Sequence, residues 1–354
     1  MPSTATTTAA QTPHRSTFRT LAGHPALRVV LALAVVASAA WVLRGQLPAL
    51  SAIRDAVLGA HVPWVIGAFT VQVVAMHLLA RLQNVVVSAF GGRMSRRRSE
   101  LVTYASTAVT QGLPAGGAFA AGYNYRWLTF AGLTPGNAVV ALTLSATVSM
   151  LALGVVFSAT VSPQVTEWMA GDVHNIVLAA CVAAGIAAVV VAVEVARRRA
   201  PAPNTETPPD AGWKVKFANT LAAVAHLPRV VWHRAFALAT GKWLLDLACL
   251  IAACLAVGID AGIASLAALH VATQVARQIP LTPGGIGIVE AGLVAGLVAL
   301  GFEAGAAAAA VAVYRLCTYW YPLVAGAGCI PVLRHVARRA TAGVPADEPA
   351  SAAA

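Results

Sequence analysis

Acidic side chains are scarce in this chain: 13 Asp and Glu stand against 24 Lys and Arg, and charged residues of both signs make up only 10% of the sequence. Ordinary soluble domains carry roughly 25%. With so little charge and 58% hydrophobic residues, a water-soluble fold lacks the polar surface to cover itself. Cysteine is rare too. Cys181, Cys249, Cys254, Cys317 and Cys329 all fall in apolar stretches without CxxC spacing or clustered His, which supports neither a zinc site nor a disulfide framework. A nucleophile elbow, a P-loop, an HExxH pair and a dinucleotide fingerprint are all missing from any credible context. The longest loop, between Arg197 and Arg234, is too short for a catalytic domain. No cofactor and no metal are therefore expected.

What the chain has is long apolar runs. Leu27 to Leu43, Val62 to Ala80, Ala138 to Val161, Ile176 to Val195, Ala235 to Val257 and Ala306 to Val332 each approach or exceed the ~20 residues that cross a bilayer. They predict an all-α, polytopic helical membrane protein with about six full spans, a single transmembrane domain over 27–333. Residues 1–26, rich in Ser, Thr and Ala, and residues 334–354 read as disordered tails. Leu27 to Ala39 has the outline of a signal peptide, but its n-region is unusually long. The net charge of +11 does not point to nucleic acid, because the basic residues sit in short runs between apolar segments, as the positive-inside rule requires.

That rule sets the topology. Arg81, Arg93, Arg96, Arg97 and Arg98 make the second loop cytoplasmic, and Arg197 to Arg234 follows suit, with Trp213 to His233 reading as an amphipathic helix on the inner leaflet. Ser162 to Val173, Asp260 and Glu303 lack nearby Lys or Arg and belong outside. Both termini then lie in the cytoplasm, in the inner or plasma membrane. Parity leaves two segments over. Leu101 to Phe130 is interrupted by Pro114, Gly116 and Gly117, and Ser265 to Gly301 by Pro280, Pro283, Gly284 and Gly285. Each can turn back as a re-entrant hairpin, the first from the cytoplasm and the second from outside. Two complete spans with a cytoplasmic turn at Arg277 satisfy the second count equally.

The two segments resemble each other. Gln111 to Gly117 parallels Gln278 to Gly285 with one residue inserted, and polar stripes at i, i+4, i+8 precede both breaks: Thr103, Thr107, Gln111 and His270, Gln274, Gln278. Paired broken helices in inverted halves point to a transporter-type site near the midplane. Half-helices starting after Gly117 or Gly285 would aim free N–H groups at an anion such as phosphate. Glu290 either caps the second half-helix or pairs with an arginine, for which Arg315 is the candidate because a charge that deep costs at least ~2.5–3.5 kcal/mol alone. Arg126 and Arg277 flank the hairpins as head-group ligands or snorkelling anchors. Lys242 and Asp246 read as a local ion pair near the interface, and Gln72 and His77 as interhelical hydrogen-bonders. Tyr319, Trp320 and Tyr321 before Pro322 either line the cavity or pack.

The stretches "GLPAGGAFAAGYNYRWLTFAGLTP", "KWLLDLACLIAACLAVGID", "PLTPGGIGIVEAGLVAGLVALG" and "YRLCTYWYPLVAG" resemble the membrane domain of lysylphosphatidylglycerol synthases and the related flippase-like integral membrane family. The resemblance runs from about residue 25 to 335. It implies Pro283, Gly284, Gly285, Gly287, Glu290, Tyr314, Arg315 and Trp320 as site positions, beside Gly116, Gly117, Gln111, Gln278 and Arg126 from the breaks. In full-length synthases an aminoacyl-transfer domain follows, whereas this chain stops at Ala354, so aminoacylation is not expected. The expected function is translocation of a phosphate-containing lipid, either a phospholipid or a polyprenyl-linked or glycosylated one, with membrane lipids and a lipid-biosynthesis enzyme as partners. The competing expectations are a membrane enzyme acting on a lipid-linked substrate and a scaffold subunit.

Overall fold

A computed structural model describes residues 59–169, 227–277 and 282–342, and among these every regular element is helical. Nine α-helices follow in order: α1 Val62–Ala89, α2 Arg96–Gly112, α3 Gly116–Phe130, α4 Pro135–Met169, α5 Arg229–Ala256, α6 Ile263–Ala276, α7 Ile288–Ala299, α8 Ala304–Arg315 and α9 Tyr321–Ala342. A 3₁₀ turn at Pro283–Gly285 precedes α7, and one π-helical stretch, Leu316–Trp320, joins α8 to α9. Four helical stretches are long and apolar enough to cross a membrane: Val62–Ala89, Pro135–Ser158, Arg229–Ala256 and Ala304–Arg339. They coincide with the four expected spans that fall among the described residues. The expected spans at Leu27 and Ile176, the tail 1–26 and the inner-leaflet helix as far as His226 lie outside them.

Both broken segments are pairs of short helices. Ser95 caps α2 by accepting from the Arg98 N–H at 3.3 Å, and α2 ends at Pro114, whose ring cannot continue it. The chain reverses over Leu113 to Ala115, Ala115 taking φ 52°. Buried Gly116 then packs so close to the Thr110 carbonyl that a Cβ would collide with it. The far ends of the pair meet again: the Arg93 N–H bonds the Ala131 carbonyl at 2.9 Å, and the Arg98 guanidinium lies 5.3 Å from the Phe130 ring centroid. In the second pair Leu269 fills the space beside Gly296, and Thr273 lies against Gly292, so α6 and α7 are antiparallel. Their 14 and 12 residues reach about 21 and 18 Å, short of the ~30 Å of bilayer hydrocarbon.

Long helices frame these pairs. α1 and α5 run antiparallel, with the His61 N–H on the Ala256 carbonyl at 2.7 Å and Leu78 against Gly241. α9 lies along α2, where Gly326 lets it close on the Tyr104 carbonyl. Gly258 and Gly301, at φ 78° and 94°, end α5 and α7 in left-handed turns that only glycine enters without strain. One end of the bundle thereby collects Arg93, Arg96–Arg98, Arg229 and the last turns of α9. Asp260 and Glu303 lie at the other.

Two boundaries differ from the sequence reading. Arg229–Arg234 does not belong to the loop or to a surface helix but forms the first turns of α5. Residues 334–342, expected to start the C-terminal tail, continue α9, because hydropathy falls there while Arg, His and Ala remain compatible with helix.

Candidate functional site

Pro322 lacks the N–H that an α-helix would donate four residues back to the Thr318 carbonyl. The π stretch lies immediately before it, and the Gln111 side-chain amide supplies the missing donor, Nε2 to Thr318 O at 3.0 Å. In return the Tyr319 hydroxyl donates to the Gln111 carbonyl at 2.9 Å, satisfying one of the last four acceptors of α2. Gln111, expected at this site, thus ties the tip of the first hairpin to the final span. Gln111→Leu should lower stability by about 1–2 kcal/mol, since it strands a buried carbonyl. Adding Pro322→Ala, which restores an N–H, should recover most of it, as read from thermal unfolding midpoints in detergent.

The second hairpin arrives at the same place. Gly284, at φ 57°, sits so that a Cβ would lie 2.6 Å from Tyr319 Cε2 and 3.1 Å from Gln111 Cα. Gly285 leans on the Arg277 side chain, 2.7 Å from a built Cβ to Cγ. The two Pro-Gly breaks therefore touch, with the π stretch between α8 and α9 as the third wall.

Beyond the turn, α7 opens on Gly287, and both Glu290 oxygens are occupied. Oε2 accepts from the Gly287 N–H at 2.8 Å, and Oε1 accepts from Arg315 Nε at 2.5 Å. The carboxylate is at once a helix cap, favoured by the dipole, and the counter-charge of Arg315. The two alternatives read from sequence are one arrangement. Arg315 is 5% exposed and Glu290 27%, so the acid faces accessible space while the guanidinium lies behind it. Arg315 Cζ stands 4.3 Å over the Tyr319 ring, and its Nη2 is buried with no hydrogen-bond partner among the described residues.

A buried polar row extends inward from Arg315. Its neighbour Tyr314 receives a hydrogen bond from Gln274 Nε2 at 3.3 Å, and the Tyr314 ring lies 6.4 Å from that of His270. His270 is 1% exposed, with no hydrogen-bond partner on either nitrogen among the described residues. Trp243 stands 6.3 Å away, beside Lys242, which pairs with Asp246 at 2.6 Å. The sequence reading put this pair near an interface; it sits instead at the middle of α5, because the helix begins at Arg229. Unpartnered buried atoms, including Asp246 Oδ1 and Gln72 Oε1, mark a polar interior that water would satisfy.

Other expected site residues stand apart. Arg126 and Gly117 are exposed on α3. Trp320 is 52% exposed and faces away. Tyr319, for which the sequence left lining and packing open, packs between Gln111 and Arg315. Gln278 lies outside the described residues. His77 does bond across helices, to Glu100 at 2.9 Å, whereas the Gln72 side-chain oxygen meets no hydrogen-bond partner among the described residues.

A sequence profile of the family described as Lysylphosphatidylglycerol synthase TM region matches residues 29–326. No curated protein matches the chain significantly.

Proposed function

We propose, on the premise that the chain belongs to the family of the lysylphosphatidylglycerol synthase TM region, that it is a flippase-like transporter of a phosphate-containing lipid. Membership makes it a membrane protein related to lipid modification or translocation. The finer reading rests on one observation: the tips of two broken helix pairs meet beside a buried, paired charge, Glu290 with Arg315. Irregular backbone at membrane depth persists only against protein or around a wet cavity. Here it does both, the Gly284 backbone packing on Gln111 while Glu290 stays accessible.

With its short arms, each pair is a re-entrant hairpin, one entering from the arginine-rich end and the other from the end bearing Asp260 and Glu303. This is the inverted arrangement of a midplane site, with the arginine-rich end in the cytoplasm by the positive-inside rule. The resting site is charge-balanced, so a lipid phosphate binds Arg315 by exchange. The phosphate oxygens replace Glu290 on the guanidinium, which offers planar donors suited to them. Glu290 then turns to the open space and takes up water or a proton. The acyl chains remain in the bilayer, and reversal of the exchange releases the head group to the other leaflet. No covalent bond changes, so the reading is of a transporter and not an enzyme.

Translocation of fluorescent phospholipid in proteoliposomes tests it. Wild-type protein should speed leaflet exchange, and Glu290→Gln and Arg315→Ala should each slow it at least tenfold at matched reconstitution. Normal rates in both variants would remove these residues from the path.

A further inference from the structure

At the arginine-rich end a cavity of about 580 Å³ opens between the last turns of α1, the first turn of α2 and the first turns of α5. Ligand pockets span ~300–1,000 Å³. Its polar wall holds Arg81, Arg96 and Arg234 against the single acid Glu100, a balance of three positive charges to one negative. Among the described residues none of the three arginines has an ion-pair partner. Arg81 is held in place: its Nε donates to His77 Nε2 at 3.2 Å, and His77 Nδ1 donates to Glu100 at 2.9 Å. The relay uses one guanidinium N–H and leaves the terminal NH₂ groups of Arg81 for a ligand. Val85, Val230, Val231 and Met94 supply its apolar side chains, beside Asn84 and three serines, and Val230 is 62% exposed. All three arginines are exposed, and exposed cationic groups beside apolar side chains fit an anion that carries an aliphatic tail.

We propose that this cavity is a second anion site, separate from the central pair, which binds the phosphate of an acidic phospholipid head group or, failing a tail, a soluble phosphate. The arginines hold the phosphate oxygens, and the valines beside them receive the glycerol and the start of an acyl chain. Such a site sets the lipids seated at this end of the bundle. It shares no residue with the central cluster, so its occupancy does not depend on whether lipid is moved.

The test is equilibrium binding to purified full-length protein in neutral detergent, read through the thermal midpoint. Short-chain phosphatidylglycerol, short-chain phosphatidylcholine and inorganic phosphate are titrated separately. Phosphatidylglycerol should raise the midpoint saturably. Arg96→Gln and Arg234→Gln should each weaken its binding about tenfold, the size of one charge-assisted hydrogen bond, and added salt should weaken it further. Glu100→Gln keeps an acceptor for His77 but removes the opposing charge, so it should bind several-fold more tightly, a gain that a misfolded variant cannot mimic. Equal stabilisation by inorganic phosphate with the same variant pattern would assign the site to a soluble anion. Equal binding of phosphatidylcholine, or identical affinities in all variants, would overturn the proposal. Absence of translocation by the wild type would sink the transport reading and leave this midpoint unchanged.

Discussion

Glu290→Gln is expected to lower the thermal midpoint more than Arg315→Ala, although glutamine is the closer match in shape. The reason is which charge is left behind. Glutamine still offers an oxygen to the Gly287 N–H, so the cap survives. What it removes is the one ion-pair partner, among the described residues, of a guanidinium that is 5% exposed. Breaking a buried pair from one side costs roughly 3–5 kcal/mol, because the remaining charge stays desolvated. Removing Arg315 instead leaves Glu290, 27% exposed, free to hydrate or protonate. That variant loses the Tyr319 stacking and leaves a cavity, for a smaller net cost. The double variant Glu290→Gln/Arg315→Met, of nearly conserved volume and no net buried charge, should recover most of the stability. Midpoints for the wild type, the Glu290→Gln and Arg315→Met single variants and this double form a double-mutant cycle, with a coupling expected near the upper end of the ~0.5–3 kcal/mol range for contacting residues. Translocation should remain lost in the double variant, which separates the pair's structural role from its role in transport. A stable double variant that still moved lipid would make the pair a strut only.

Pro and Gly punctuation exposed both reversals in the sequence: Pro114 with Gly116 and Pro283 with Gly284 interrupt apolar runs that otherwise have helical length. Spacing also carried part of the site. Glu290 falls at the third position after Gly287, where a carboxylate caps a helix, and Tyr319 falls four residues after Arg315, on its face. The resemblance pointed to Trp320 instead, and geometry places that ring outward. Depth was the weaker inference. Lys242 and Asp246 look interfacial when the apolar run is counted from Ala235, but the helix begins at Arg229, and the pair lies half-way along it. Charged first turns hide a helix's true start from a hydropathy window.

The meeting of the two tips could not be read from either segment alone. It depends on an acceptor that Pro322 leaves open, on Gln111 reaching it across 207 residues of sequence, and on glycine at 284. Such contacts are set by tertiary packing, for which periodicity carries no signal. The same holds for the basic cavity, whose arginines come from three helices.

Gly284→Ala should therefore be among the most damaging single-methyl changes in the chain, and Gly117→Ala, at the matching break, almost harmless. At Gly284 an added Cβ meets two obstacles. The backbone is left-handed, at φ 57°, which costs an alanine about 1–2 kcal/mol. The methyl would also lie 2.6 Å from Tyr319 and 3.1 Å from the Gln111 backbone, and overpacking adds about 1–3 kcal/mol. Relief requires the second hairpin to back away from the first, which breaks the tip contact and shifts Glu290, only six residues on, from Arg315. Gly117 has open space around its Cβ and sits in the first turn of α3, so alanine there should be neutral or stabilising by up to ~1 kcal/mol. Expression, thermal midpoint and lipid translocation should fall together in Gly284→Ala and hold in Gly117→Ala. If both alanines were tolerated equally, the hairpin tips would not be in contact, and the exchange of phosphate for Glu290 on Arg315 would lose the wall that confines it.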